Sequence, residues 1–72
     1  MEVIERLETT VKVVIDTDGR IGALEIFSAA GDSLVTEGLT VVDKAEVEVP
    51  YGAKIVVTYD VHNSDILYIQ GK

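Results

Sequence analysis

Cysteine and tryptophan are absent from the 72 residues, and proline and histidine occur once each. Without cysteine, neither a disulfide nor a thiolate zinc site can brace the chain, and those are the usual aids for so small a domain. A chain of 72 residues buries only roughly 60% of the surface that its unfolded form exposes. Association with a second chain is the remaining remedy, so a homo-oligomer is expected. Basic residues are also scarce, six Lys and Arg against 13 Asp and Glu, for a net charge of −7. Nucleic-acid binding needs clustered cations to displace counterions from phosphates, whereas Arg6, Lys12, Arg20, Lys44, Lys54 and Lys72 are dispersed, so no direct nucleic-acid partner is expected. Long apolar runs are missing too. Val13 to Ile15 and Ile55 to Val57 fall far short of the ~20 residues of a membrane helix, so no membrane partner is expected either. The opening Met1, Glu2, Val3, Ile4, Glu5, Arg6 has none of the basic, apolar and small-residue order of a secretory signal. The expectation is a soluble chain with no export signal, cytoplasmic on synthesis.

What is abundant is β-branched: 12 Val, 7 Ile and 6 Thr make up over a third of the chain. That composition suits pleated sheet and disfavours helix, and it predicts an all-β fold. Val11, Val13 and Ile15 alternate with Lys12, Val14 and Asp16, predicting a strand over Thr10 to Asp16. Asp18 and Gly19 tolerate positive φ and predict a two-residue hairpin turn into a second strand, Ile21 to Ser28. A turn at Ala30, Gly31 and Asp32 precedes two short strands, Ser33 to Thr36 and Leu39 to Val42, broken by Gly38. Ala45, Val47 and Val49 alternate with Glu46 and Glu48, giving a strand with one wet face that stops at Pro50. After Tyr51 and Gly52, strands over Ala53 to Asp60 and Ile66 to Gln70 flank a polar turn from His62 to Asp65. The pattern predicts a small Ig-like β-sandwich of six or seven short antiparallel strands, residues 9–72 forming one domain. Residues 1–8 differ: Val3, Ile4 and Leu7 sit at helical spacing among charges, as in a short amphipathic helix or an extended arm. So short a helix is not stable alone, so this segment is expected to dock on its own sandwich or on a neighbouring subunit.

The stretch Gly22, Ala23, Leu24, Glu25, Ile26, then Gly31, Thr36, and Glu46, Val47, Glu48, Val49, Pro50, Tyr51, Gly52, on through Ile55 to Tyr59, resembles carboxypeptidase regulatory-like, or transthyretin-like, sandwich modules. Such modules carry a Gly-Ala entering an alternating strand, a Val-x-Val-Pro-x-Gly corner and a strand ending in an aromatic residue. Where they have a Thr-Asp-x-x-Gly hairpin, this chain has Val42, Asp43, Lys44. The resemblance implies a non-catalytic sandwich used for attachment or assembly, with no catalytic residue to carry over.

Catalytic chemistry finds few candidates. His62, Ser64 and Asp65 lie close in sequence, but side chains of one tight turn diverge, and a triad is a matter of geometry. Asp16 with Asp18, and Glu46 with Glu48, place carboxylates two residues apart on one strand face, at ~7 Å, and read as wet strand faces. Asp16, Thr17, Asp18, Gly19 opens like a calcium loop, yet Arg20 and Ile21 stand where further oxygens are needed. The glycines are scattered singly, so no phosphate loop forms. No cofactor and no enzymatic activity are expected. The residues expected to make contacts are Val3, Ile4 and Leu7 of the N-terminal segment and the tyrosines Tyr51, Tyr59 and Tyr68, with Tyr59 and Tyr68 forming a cross-strand pair. The function expected is that of a structural or interaction subunit acting through protein contacts with itself and with a larger assembly, such as a virion decoration or tail component. Two alternatives are an acidic inhibitor that mimics nucleic-acid charge against a nuclease or defence protein, and a glycan-binding module using Tyr51 and Tyr59.

Overall fold

The computed structural model describes residues 1–35 and 37–71. The fold is all-β: β1 (Glu2–Arg6), β2 (Thr10–Phe27), β3 (Leu39–Pro50), β4 (Lys54–Thr58) and β5 (Ser64–Tyr68) form one curled antiparallel sheet. β2 is its spine. β3 pairs along nearly its whole length, while β1 pairs with Val11 to Val14 and β4 with Ala23 to Phe27, and β5 adds to β4.

An extended strand of 18 residues would reach ~60 Å, whereas the longest dimension of the molecule is 32 Å. β2 must therefore bend, and its sequence shows where. Between the pairs Asp16 with Lys44 and Ile21 with Val42, the residues Thr17, Asp18, Gly19 and Arg20 stand opposite Asp43 alone. Asp18 (φ 54°), Gly19 (φ 80°) and Asp43 (φ 72°) all adopt left-handed backbone here, which sharpens the turn of the ladder as a bulge does. The surplus in β2 is odd, so its inward set changes from Val11, Val13, Ile15 and Thr17 to Gly22, Leu24 and Ile26. β3 keeps one parity throughout, with Val41 and Val49 buried. The buried Thr17 hydroxyl donates to the Asp43 carbonyl (3.0 Å), tying the bulge across the two strands.

The bend brings the two ends of β2 together. Pro50, opposite Thr10, is joined by a short turn to Lys54, which stands opposite Phe27. Ala53 N–H donates to Pro50 O (3.2 Å) in that turn, and Gly52 takes φ 86°. A side chain at Gly52 would also meet the Ala29 Cβ at 2.7 Å, so the turn needs glycine for both reasons. The inner surfaces of the near half (β1, Thr10 to Asp16, Lys44 to Pro50) and the far half (Ile21 to Phe27, Leu39 to Val42, β4, β5) feed one core. Val11, Val13, Ile15 and Val49 come from the first, and Leu24, Ile26, Val41, Ile55 and Val57 from the second.

Several expectations change. Asp18 and Gly19 have the positive φ expected of them, but the chain continues in one strand, because both halves of β2 find their partner in β3 rather than in each other. Leu39 to Val42 and Ala45 to Val49 likewise belong to one strand. Ser33 contributes only an isolated bridge to Phe27, and Thr36 lies outside the described residues. Among the described residues five strands result, against the six or seven expected. None of the described residues is helical. The N-terminal segment takes the extended rather than the helical of its two expected forms and docks on its own sheet as strand β1, with a bulge between Val3 and Glu5. Turn residues also move: Asp60 to Asn63 form the last turn, and Ser64 and Asp65 already belong to β5.

Candidate interaction surface

The expected contact residues do not converge. Val3 and Ile4 lie on β1, and Leu7 in the turn that follows, where its N–H donates to Thr10 O (2.8 Å). Tyr51 meets this turn: its hydroxyl donates to Leu7 O (2.6 Å) and the Arg6 guanidinium lies 5.8 Å from its ring centre. Tyr59 sits at the opposite end of the sheet. Arg20 stacks on its ring at 3.9 Å, and its hydroxyl donates to Asp65 Oδ2 (2.7 Å). That hydrogen bond, with burial and the Asp65 charge, raises the Tyr59 pKa above its ordinary 10.0. Tyr68 pairs with Lys54, while Tyr59 lies beyond the Thr58–Ser64 pair, so the expected Tyr59–Tyr68 cross-strand pair does not form. Both proposed glycan-binding rings, Tyr51 and Tyr59, have a cation against the face and a committed hydroxyl. They are not a coplanar exposed platform.

The acidic candidates are local structure. Asp16 Oδ1 accepts the Asp18 N–H (2.9 Å), and its other oxygen lies 3.9 Å from Lys44 Nζ, so this carboxylate shapes the bulge. Among the described residues, no three His, Asp or Glu side chains gather to hold a metal ion. Glu46 and Glu48 share the outer face of β3, Glu48 accepting from the Thr10 hydroxyl (3.0 Å). Asp65 is engaged by Tyr59. Asp60 accepts the Asn63 side-chain amide (2.9 Å) and the backbone N–H groups of His62 (2.8 Å) and Asn63 (3.0 Å), which lowers its pKa below 3.8.

Registers assemble a surface that single-strand reading does not. On the outer side of the far half, Val42 is beside Ile21, and Val56 is flanked by Glu25 and Ile66. Phe27, Lys54 and Tyr68 form the next row, Lys54 Nζ lying 5.3 Å from the Phe27 ring centre. Ile21 and Val42 are each 64% exposed, Ile66 51% and Tyr68 67%. Among the described residues, only Glu25 and Lys54 bring charge to this face. Beside its last row a groove of about 470 Å³ runs between Phe27, Tyr68 and the backbone of Gly31 and Gly52. A signal was present in Ile66, Leu67, Tyr68, Ile69, a run apolar on both faces of its strand, which implies a neighbour on both sides. Ile21 and Val42 gave no such signal, because their pairing depends on the bulge. Searches against protein families, curated proteins and solved structures find no match.

Proposed function

We propose that this chain is a non-catalytic interaction subunit that works through protein–protein contacts, self-association included. The observation that carries this reading is the outer face of the far half. Exposed apolar residues scattered singly are ordinary, but Ile21 with Val42 at one end and Val56, Ile66 and Tyr68 at the other lie on one face, separated by the row Thr40, Ala23, Thr58, Ser64. Glu25 and Lys54 are its only charges among the described residues, and a face this poor in charge suits a site that another protein covers. Support for a role without catalysis comes from the one histidine, whose neighbour Asp65 is engaged by Tyr59 instead. We read the curled sheet as a small Ig-like sandwich, its two halves facing each other across one core, a scaffold suited to presenting a flat face. A larger shell or tail, such as that of a virion, is a setting in which such a face would be covered.

Sedimentation of the full chain from micromolar to millimolar concentration tests this, beside a chain carrying Ile21→Lys and Val42→Lys. Association that weakens with these outward substitutions is expected. A chain that stays monomeric throughout would overturn the reading.

The acidic-mimic reading has one observation in its favour, the carboxylates of Glu2, Glu5, Asp16, Glu46 and Glu48 on the outer near half. Lys12 lies 3.6 Å from Glu5 and Lys44 3.9 Å from Asp16, which breaks up that field. A basic partner bound there would dissociate steeply with salt.

A further inference from the structure

The sheet has three open edges, along β1, β3 and β5, and they are guarded differently. Soluble proteins protect an edge with charges, proline or a bulge, because its unpaired N–H and C=O groups are a template for another strand. β1 has the bulge between Val3 and Glu5, with Glu2, Glu5 and Arg6 along it. β3 has the left-handed Asp43, followed by Lys44, Glu46, Glu48 and Pro50. β5 has neither a bulge nor a proline, and one charge. Ser64 to Tyr68 run in unbroken register with β4, with Asp65 their only charge, and among the described residues β4 is the only strand β5 pairs with.

Hydrogen bonding at the two ends of β5 determines which groups face outward. Ile69 donates to Ala53 O (2.8 Å) and accepts from Gly52 N–H (2.9 Å), and Asn63 O accepts from Tyr59 N–H (2.8 Å). In an antiparallel ladder the direction alternates residue by residue. Odd-numbered residues thus turn their backbone groups to β4, and Ser64, Ile66 and Tyr68 turn theirs to the open edge.

We infer that this edge is the seam of a symmetric dimer, in which β5 of one copy pairs antiparallel with β5 of a second copy about a two-fold axis at Ile66. This deepens the interaction-subunit reading and rests on it, by naming the partner as the same chain. The outward sets match under that operation: Ile66 exchanges both bonds with its counterpart, and Ser64 does so with Tyr68. Such an axis, normal to the sheet, keeps outer face with outer face, so the row Val56, Ile66 continues into Ile66, Val56 of the second copy. Each chain carries a net charge of −7, so a seam between copies must avoid setting carboxylates against each other. Asp65 comes opposite Leu67 of the other copy, and no carboxylate faces another in the new ladder, an arrangement that avoids the like-charge penalty across strands. An isologous contact of this type closes on itself and stops at two copies.

Amide hydrogen exchange of the full chain, compared at low and high concentration, reads the seam directly, with sedimentation run in parallel on the natural chain, on Ile66→Lys and on the Ile21→Lys, Val42→Lys pair. Dimers in which the Ser64, Ile66 and Tyr68 amides gain protection, and which Ile66→Lys weakens about ten-fold or more by setting two ammonium groups face to face, are the expected result. Association that leaves those amides unprotected and survives Ile66→Lys, yet falls with the Ile21 and Val42 substitutions, would overturn the edge pairing and leave the face reading standing. A monomer at every concentration would overturn both.

Discussion

On the near half of the sheet, the outer surface alternates Glu48 with Lys12 and Asp16 with Lys44 across strands. On the far half, past the Thr17–Arg20 bulge, the same two strands set Ile21 beside Val42 and add Val56, Ile66 and Tyr68 from β4 and β5. Their buried cores, by contrast, carry the same chemistry, mostly Val and Ile on both sides. Folding therefore treats the halves alike, and solvent does not. A wet sheet face suits charge pairs, and the face without them is the one that the proposed function has a partner cover. The bulge is what allows both on one strand. By inverting the parity of β2, it lets an odd-numbered apolar residue, Ile21, point outward although Val11, Val13 and Ile15 point inward.

If the inner faces really form one core, truncation on either side should give the same result. Ile15 and Ile55 are both fully buried, one in each half. Ile15→Ala and Ile55→Ala should each cost about 2–5 kcal/mol, and each should leave a single cooperative denaturant transition. Loss of one half alone, seen as two transitions in either variant, would break the comparison by making the halves separate folding units.

Gly22 sharpens it on a smaller scale. An added Cβ there would lie 2.5 Å from Val57 Cγ1 and 3.4 Å from the Tyr59 ring, just where β2 resumes after the bulge. Val57 is fully buried and has nowhere to go. Gly22→Ala is expected to cost about 1–3 kcal/mol by overpacking. Gly38→Ala, where an added Cβ meets nothing within 4 Å, should change stability by no more than about 1 kcal/mol, as a gain. Equal effects of the two substitutions in thermal melts would show that close approach at the bulge does not hold the far half in place.

How much of this was legible follows the range of each interaction. Alternation in Thr10 to Asp16, in Ile21 to Phe27 and in Ala45 to Val49 was readable, because burial on one face leaves a period of two in the chain itself, and the observed faces match. The left-handed backbone at Asp18, Gly19, Gly31 and Gly52 was readable for the same local reason. Whether Asp18 and Gly19 reverse the strand or only kink it was not. Both conformations need positive φ, and the choice is made by β3, some 25 residues further on, which pairs with both halves. The N-terminal strand was only one of two readings, because Ile4, at the bulge beside Val3, breaks simple alternation. The surroundings of the candidate contact residues were the least legible. Tyr51 and Tyr59 were selected for being large, and both turned out to be held by partners distant in sequence or across a turn.

The smallest expected effect concerns the turn that leads into β5, and it separates the two halves by pH. Asp60 is held below its ordinary 3.8, chiefly by the Asn63 side-chain amide and then by the His62 N–H. Since the folded value is depressed, the stability it lends is present above 3.8 and is lost as pH falls through the folded value. Asp60 is fully exposed, so the effect should appear as local loosening rather than as a change in global unfolding. Proton titration followed by the amide shifts of His62 and Asn63 should then show a midpoint below 3.8, with exchange at the start of β5 rising as the turn releases it. A midpoint at or above that value would mean that the carboxylate does not hold the turn. β5 would then be positioned by its ladder to β4 alone, and its open edge should respond to acid no differently from the charged near half.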